Sequence, residues 1–197
     1  MNSDTSVLNK VYTNGTLVDP QLLRDDEAGH CIAICEDEQD LPDGCKKFGV
    51  CVLDCSTSQF NLSALDDDVC RTKLETLFRQ VRPKEILFTK VCPISNILWF
   101  EPYENRQGAL SVSTTRLLKN VLPSECLWTG LRTVEGFNHK QTISELRKLY
   151  DDDDSMEDDD GCALPSSVPE QIREMLSSTL AAQALGTMIW WVRHGHQ

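Results

Sequence analysis

The succession of short apolar runs constrains the fold of this chain more than any other feature of its 197 residues. His30-Cys-Ile-Ala-Ile-Cys35 is continuously apolar, which suits a strand buried on both faces. A polar turn region bearing Asp, Gly and Pro follows at 36–47. Phe48-Gly-Val-Cys-Val-Leu-Asp54 and Gln59-Phe-Asn-Leu-Ser-Ala-Leu65 then predict two further strands around the polar turn Cys55-Ser-Thr-Ser58. In the second of these, Phe60, Leu62 and Ala64 alternate with polar residues, the period of a half-buried strand. Helical spacing takes over next. Val69, Leu74, Leu77, Phe78 and Val81 predict a helix that Asp66, Asp67 or Asp68 caps and Pro83 ends. Glu85-Ile-Leu-Phe-Thr89 predicts a strand, Ser111 to Leu122 a second helix, and Cys126-Leu-Trp-Thr129 another strand. Thr142 to Tyr150 predicts a third helix with Ile143, Leu146 and Leu149 on one face, and Pro169 to His194 one or two more. Three strands followed by helix-strand-helix-strand-helix predict an α/β layer fold with a mixed β-sheet and flanking helices.

Composition narrows the class of function. The formal net charge is −12, and eight of those charges fall in Asp151-Asp-Asp-Asp-Ser-Met-Glu-Asp-Asp-Asp160, which leaves −4 for all other residues. An acidic chain gains nothing by releasing counterions from phosphates, so it is a poor candidate for gripping DNA alone. The acidic run predicts a solvated loop, and it lacks the spaced ligands and turn glycine of a calcium site. The nine cysteines are odd in number and contain no C-x2-C pair. Cys31/Cys35 and Cys51/Cys55 have no neighbouring His, so the thiols are expected to be reduced core residues in a reducing compartment. Met1 to Thr5 has neither the basic nor the apolar region of a signal peptide, and no apolar run spans a bilayer.

Several motifs are then met in order. Val11-Tyr-Thr-Asn-Gly-Thr-Leu-Val-Asp19 resembles the V-x-T-x-G-T-L-x-D/E run that ends the mismatch-binding domain of the MutS family. Phe48 to Thr57 resembles the strand and turn opening that family's connector domain. Val81-Arg-Pro-Lys-Glu-Ile-Leu-Phe88 is similar to the R-P-x-E-(I/L/V)-L strand after the first connector helix. Leu110 to Lys119, Leu127-Trp-Thr129 and Val134-Glu-Gly-Phe137 resemble the eukaryotic homologue-six branch, fungal forms in particular. Ala184-Leu-Gly186 with Ile189-Trp-Trp191 resembles the segment beginning the family's helical core.

The resemblance implies a ribonuclease-H-like connector domain over 28–163, the tail of a mismatch-binding domain at 1–27, and the start of an α-helical core domain at 164–197. For the full-length protein it implies ATP and Mg2+, a heterodimer with MutS homologue two, MutL-type partners, mismatched DNA and a nuclear location. The chain itself carries no G-x-x-x-x-G-K-[ST] loop and no Phe-x-Glu reader motif. No catalytic, cofactor-binding or metal-binding residue is therefore assigned, and the connector is expected to relay conformational states rather than to catalyse. One stretch departs from the family. Between Lys90 and Gly108 the family has a short Gly-Asn-Leu-Ser-like link, whereas here an apolar, aromatic insert occupies 91–107. Valine codons begin with GT and a glutamine codon can end in AG, so this insert and the end from Val192 are expected to be unspliced sequence. The Ile189-Trp190-Trp191 end is expected to be exposed and prone to aggregation, and His194 with His196 to belong to a frayed tail.

Asp54 carries the enzyme alternative. Ribonuclease-H-like nucleases hold a metal-binding carboxylate near the end of the first strand, and Asp54 is placed near such an end. That chemistry needs several carboxylates converging on two metal ions, and the later strands offer no clear partners. The competing role is to cap the turn at Ser56-Thr57, since Asp commonly accepts from amides two residues on. Gly15 and Gly49 suit places where a β-carbon would obstruct the backbone. A third alternative is an acidic interaction protein that uses 151–160 against basic partners.

Overall fold

The computed structural model describes residues 29–37, 39, 41–90, 109–132, 135–136, 138–150 and 168–194. The expectations for Gly15 and the rest of 1–27, the 91–107 insert, the acidic run 151–160 and His196 lie outside the described residues. Five strands form one mixed sheet: β1 (His30–Glu36), β2 (Lys46–Asp54), β3 (Gln59–Asp67), β4 (Glu85–Thr89) and β5 (Leu127–Leu131), in the order β3-β2-β1-β4-β5. β1 and β3 pair antiparallel with β2, while β1 and β5 pair parallel with β4. The helices are α1 (Thr72–Val81), α2 (Val112–Val121), α3 (His139–Tyr150), α4 (Glu170–Met175) and α5 (Thr179–His194).

β1 is central because its sequence serves both faces. Ile32 and Ile34 join Phe48, Val50 and Val52 of β2 under Leu74 and Phe78 of α1 and Leu118 of α2. Cys31, Ala33 and Cys35 project the other way, with Cys51 and Leu53, under Ile143 and Leu146 of α3 and Ala182, Leu185, Met188 and Trp191 of α5. The thiols thus fill space as small hydrophobes. α5 comes very close to the sheet. A β-carbon on Gly49 would stand 2.1 Å from the carbonyl carbon and oxygen of Leu180, so this glycine is required by space rather than by an unusual φ.

The expected elements are found, with shifted ends. Val69 is 60% exposed and lies in the turn before α1, not on its buried face. The residue at the N-cap of α1 is Arg71, in the left-handed region at φ 61°. The expected aspartates reach the helix from outside it. Asp68 Oδ1 accepts from the Thr72 amide at 3.1 Å, and Asp67 accepts from the Lys73 and Leu74 amides at 3.0 and 2.8 Å. Asp67→Ala should cost about 2 kcal/mol, the upper end for a lost cap, because Asp67 is itself buried. Urea unfolding checks this: a lower midpoint with an unchanged slope is expected. β5 runs two residues beyond the expected stretch, and Leu149 points to solvent at 57% exposure while Thr142 joins Ile143 and Leu146 inside.

The clearest correction concerns the apolar end. Trp191 is 2% exposed and Ile189 8% exposed, because α5 lies against β2 and β1 and against α3. This end finds its apolar partner in the sheet of the same chain. His194 is likewise no frayed tail: its Nδ1 lies 2.9 Å from the Trp190 carbonyl, and its ring stacks on Trp190 at 4.9 Å.

Candidate functional site

Two edges of the sheet concentrate its buried polar groups. At one edge the strands β1 and β4 end, and β3, antiparallel to the shared neighbour β2, ends there too. This C-terminal edge is where ligands of open α/β sheets usually bind. Here it carries two buried carboxylates. Glu36, 1% exposed at the end of β1, accepts from the Ser111 amide at 2.7 Å through Oε2. Ser111 is the N-cap of α2, and its hydroxyl in turn accepts from the Thr114 amide. Asp67, 2% exposed at the end of β3, serves the first amides of α1 in the same way. Around them the Lys46 ammonium donates to the Asp37 carbonyl at 2.9 Å. The Arg71 guanidinium donates to the Gly44 and Asp68 carbonyls and sits 5.7 Å over the Phe48 ring.

The chemistry of this edge follows. A helix N-terminus attracts anions through its free amides and dipole. At α1 the Lys73 and Leu74 amides are already taken by Asp67, and at α2 Glu36 takes the amide of the N-cap residue Ser111, its Oε1 having no partner among the described residues. A nucleotide phosphate brought there would meet negative charge instead of free donors. The residues at this edge therefore offer a nucleotide phosphate no charge complement. Asp67 and Glu36 tie α1 and α2 to the ends of β3 and β1.

The opposite edge holds Asp54 and Glu85. Asp54 ends β2, not the first strand, and lies beside His30 where β1 begins. That placement removes the geometric basis for the nuclease alternative. Its Oδ1 accepts from the Ser56 hydroxyl at 2.6 Å, the Ser56 amide at 2.9 Å and the Thr57 amide at 3.3 Å. The Ser56 and Thr57 bonds hold the carboxyl down at about 2. This is the expected turn cap. A depressed folded-state value adds stability above the unfolded value, and that stability is lost as pH falls toward the folded one. Asp54→Ala should therefore lower stability near neutral pH by about 0.5–1 kcal/mol, a modest figure because the group is exposed to solvent. The difference from the parent chain should shrink as pH falls from 4 toward 2, followed by urea midpoints across that window.

Glu85 opens β4 and is fully buried. Its Oε1 accepts from the Thr129 hydroxyl of β5 at 2.6 Å, and Oε2 has no partner among the described residues. Cys31, Cys55 and Cys126 surround it closely enough for its charge to raise their thiols. Burial is the larger cause for all three, and it pushes Cys55 and Cys126 to about 11 and, on the same sheet, Cys35 to about 12. Nucleophilic attack needs thiolate, and burial holds these thiols protonated at neutral pH, which suits their place as small packing groups. No group of three His, Cys, Asp or Glu side chains among the described residues could hold a metal ion. The buried roles of Glu36 and Glu85 were not assigned from sequence. Glu85 does stand in the R-P-x-E motif, as a lone acid opening an apolar strand, and that is the signal that could have singled it out.

Comparison with known proteins adds ancestry to this geometry. Residues 30–194 match the family model described as MutS domain II. The chain is 27% identical over 188 residues to the DNA mismatch repair protein MSH6 of Arabidopsis thaliana, covering 93% of this chain and 14% of that protein. It is 26% identical over 171 residues to Msh6 of Gallus gallus, covering 81% of this chain and 11% of the relative. To MSH6 of Saccharomyces cerevisiae it is 33% identical over 93 residues, covering 41% of this chain and 8% of the relative. The chain thus spans a small part of the length of each of these proteins.

Proposed function

The chain belongs to the MutS domain II family, and from that premise we propose that it is the connector module of a homologue-six-type DNA mismatch-repair protein, without catalytic chemistry of its own. The observation that carries this reading is the coincidence of the family match with one structural unit. The match runs from 30 to 194, and β1 begins at His30 while α5 ends at His194. Within that unit Asp67 caps α1 and one oxygen of Glu36 holds the N-cap residue of α2, which suits a body that transmits displacement as a whole.

In the complete protein, ATP with Mg2+ and mismatched DNA are held by other domains. The partners are MutS homologue two and MutL-type proteins, and the place of action is the nucleus. α5 closes the connector by packing on β1, β2 and α3, and the start of a helical core over 164–197 is part of the same proposal. Two measurements test the absence of chemistry. The purified chain with Mg2+ or Mn2+ should leave single- and double-stranded DNA and RNA intact, and calorimetric titration with Mg-ATP should give no binding heat. Cleavage that disappears in Asp54→Ala would restore the nuclease reading.

A further inference from the structure

We propose that the outer edge of β3, together with the groove between β3 and α1, docks an extended segment of a partner protein as a sixth strand. That segment carries an apolar and an acidic side chain two positions apart. β3 is the nine-residue edge strand Gln59–Asp67, and among the described residues no strand covers its outer side. An open row of backbone amides and carbonyls is a template for strand addition, and proteins usually block it with a charge, a proline, a bulge or a very short strand. β3 uses none of these over Gln59 to Leu65, which contains no charged residue and no proline. Its register with β2 is unbroken from Lys46↔Asp67 to Asp54↔Gln59, so no bulge twists the edge away. The other edge, β5, is protected by its length of five residues.

The groove supplies the specificity. A cavity of about 390 Å3 is lined by Ser63 and Leu65 of β3 and by Thr72, Lys73, Thr76, Leu77 and Gln80 of α1. Leu65 and Leu77 give it an apolar floor. The Thr72 hydroxyl donates to Asp68 and the Thr76 hydroxyl to the Thr72 carbonyl, so both are satisfied within the chain. Lys73 is the one charged residue of the lining, and its ammonium spends one hydrogen on the Asp66 carbonyl. Two hydrogens remain for an acceptor. Alternate residues of an added strand fall on one face about 7 Å apart, which lets one side chain enter the groove while its neighbour on the same face meets Lys73. A second copy of this chain fits less well. On that face its β3 offers Asn61, Ser63 and Leu65, with Asp67 already committed to α1, so no acid would reach Lys73.

The test pans phage-displayed random nine-residue peptides against the 197-residue chain. Enriched sequences should pair Asp or Glu with Ile, Val, Leu or Phe at a spacing of two. A synthetic peptide of the enriched sequence should lose about tenfold or more in affinity to Asn61→Lys, which puts a charge on the edge. Lys73→Glu should change the selected acidic residue to Lys or Arg. Both positions are exposed, so the variants should keep the parent circular dichroism spectrum. Three outcomes would overturn the proposal. The first is enrichment no greater than on the Asn61→Lys chain. The second is peptide binding indifferent to both substitutions. The third is concentration-dependent self-association that Asn61→Lys abolishes, which would make a second copy the occupant.

Discussion

Gly49→Val should destabilise the domain by about 3 kcal/mol or more, the upper range of overpacking losses. The reason is the nature of the neighbour. A β-carbon at 49 would lie 2.1 Å from the Leu180 carbonyl group and 2.5 Å from the Ala181 amide nitrogen, and these are backbone atoms at the start of α5. A clashing side-chain end can rotate away, but a helix backbone can yield only by moving the helix. α5 would have to rise from the sheet, carrying Ala182, Leu185 and Met188 away from Cys51, Cys35 and Ala33. Equilibrium unfolding in urea, with near-ultraviolet circular dichroism to follow the tryptophans, reads the effect. A parent-like midpoint would mean that α5 is not seated on β2 as described.

Trp191→Ala should cost about 3–5 kcal/mol, as large-to-small changes of buried aromatics do. Trp191 is 2% exposed on the last turns of α5, in the cluster that includes Leu146 of α3 and Cys31 of β1. Removing the indole leaves a cavity between helices and sheet that the fixed strands cannot fill. If the end of α5 were a free, exposed segment, the same substitution would change stability little and would improve solubility. The thermal midpoint of the purified variant distinguishes the two. The losses from Gly49→Val and Trp191→Ala should also fall short of adding, because a helix lifted at Leu180 has already given up part of what Trp191 contributes.

The sequence was most legible where local rules decide. β1 and β4 are apolar runs bounded by polar turns, and they lie almost where expected. Asp54 acts through residues two and three positions on, a local turn rule, and it does so as expected. The start of α1 was misplaced for a local reason as well. Val69 has helical spacing, but Arg71 at φ 61° interrupts the chain between it and the helix. What remained hidden depends on partners far along the chain. Glu36 is buried by meeting an amide 75 residues away, and Glu85 by a hydroxyl 44 residues away. The apolar stretch of α5 was plain, but its seat on the sheet was not, because the close approach at Gly49 joins segments about 130 residues apart. An apolar helix without a visible partner reads as exposed until the sheet it covers is known.

The connector reading is tested most directly by domain replacement. Residues 30–194 of this chain would replace the corresponding region of the Saccharomyces cerevisiae relative, located from the 93 residues that align, with the rest of that protein kept intact. The measured quantity is the spontaneous mutation rate of cells whose only copy is the chimera. A connector predicts a rate well below that of cells lacking the domain, and a return toward the deletion rate when Gly49→Val is added. A stable, abundant chimera whose rate equals the deletion rate would contradict it.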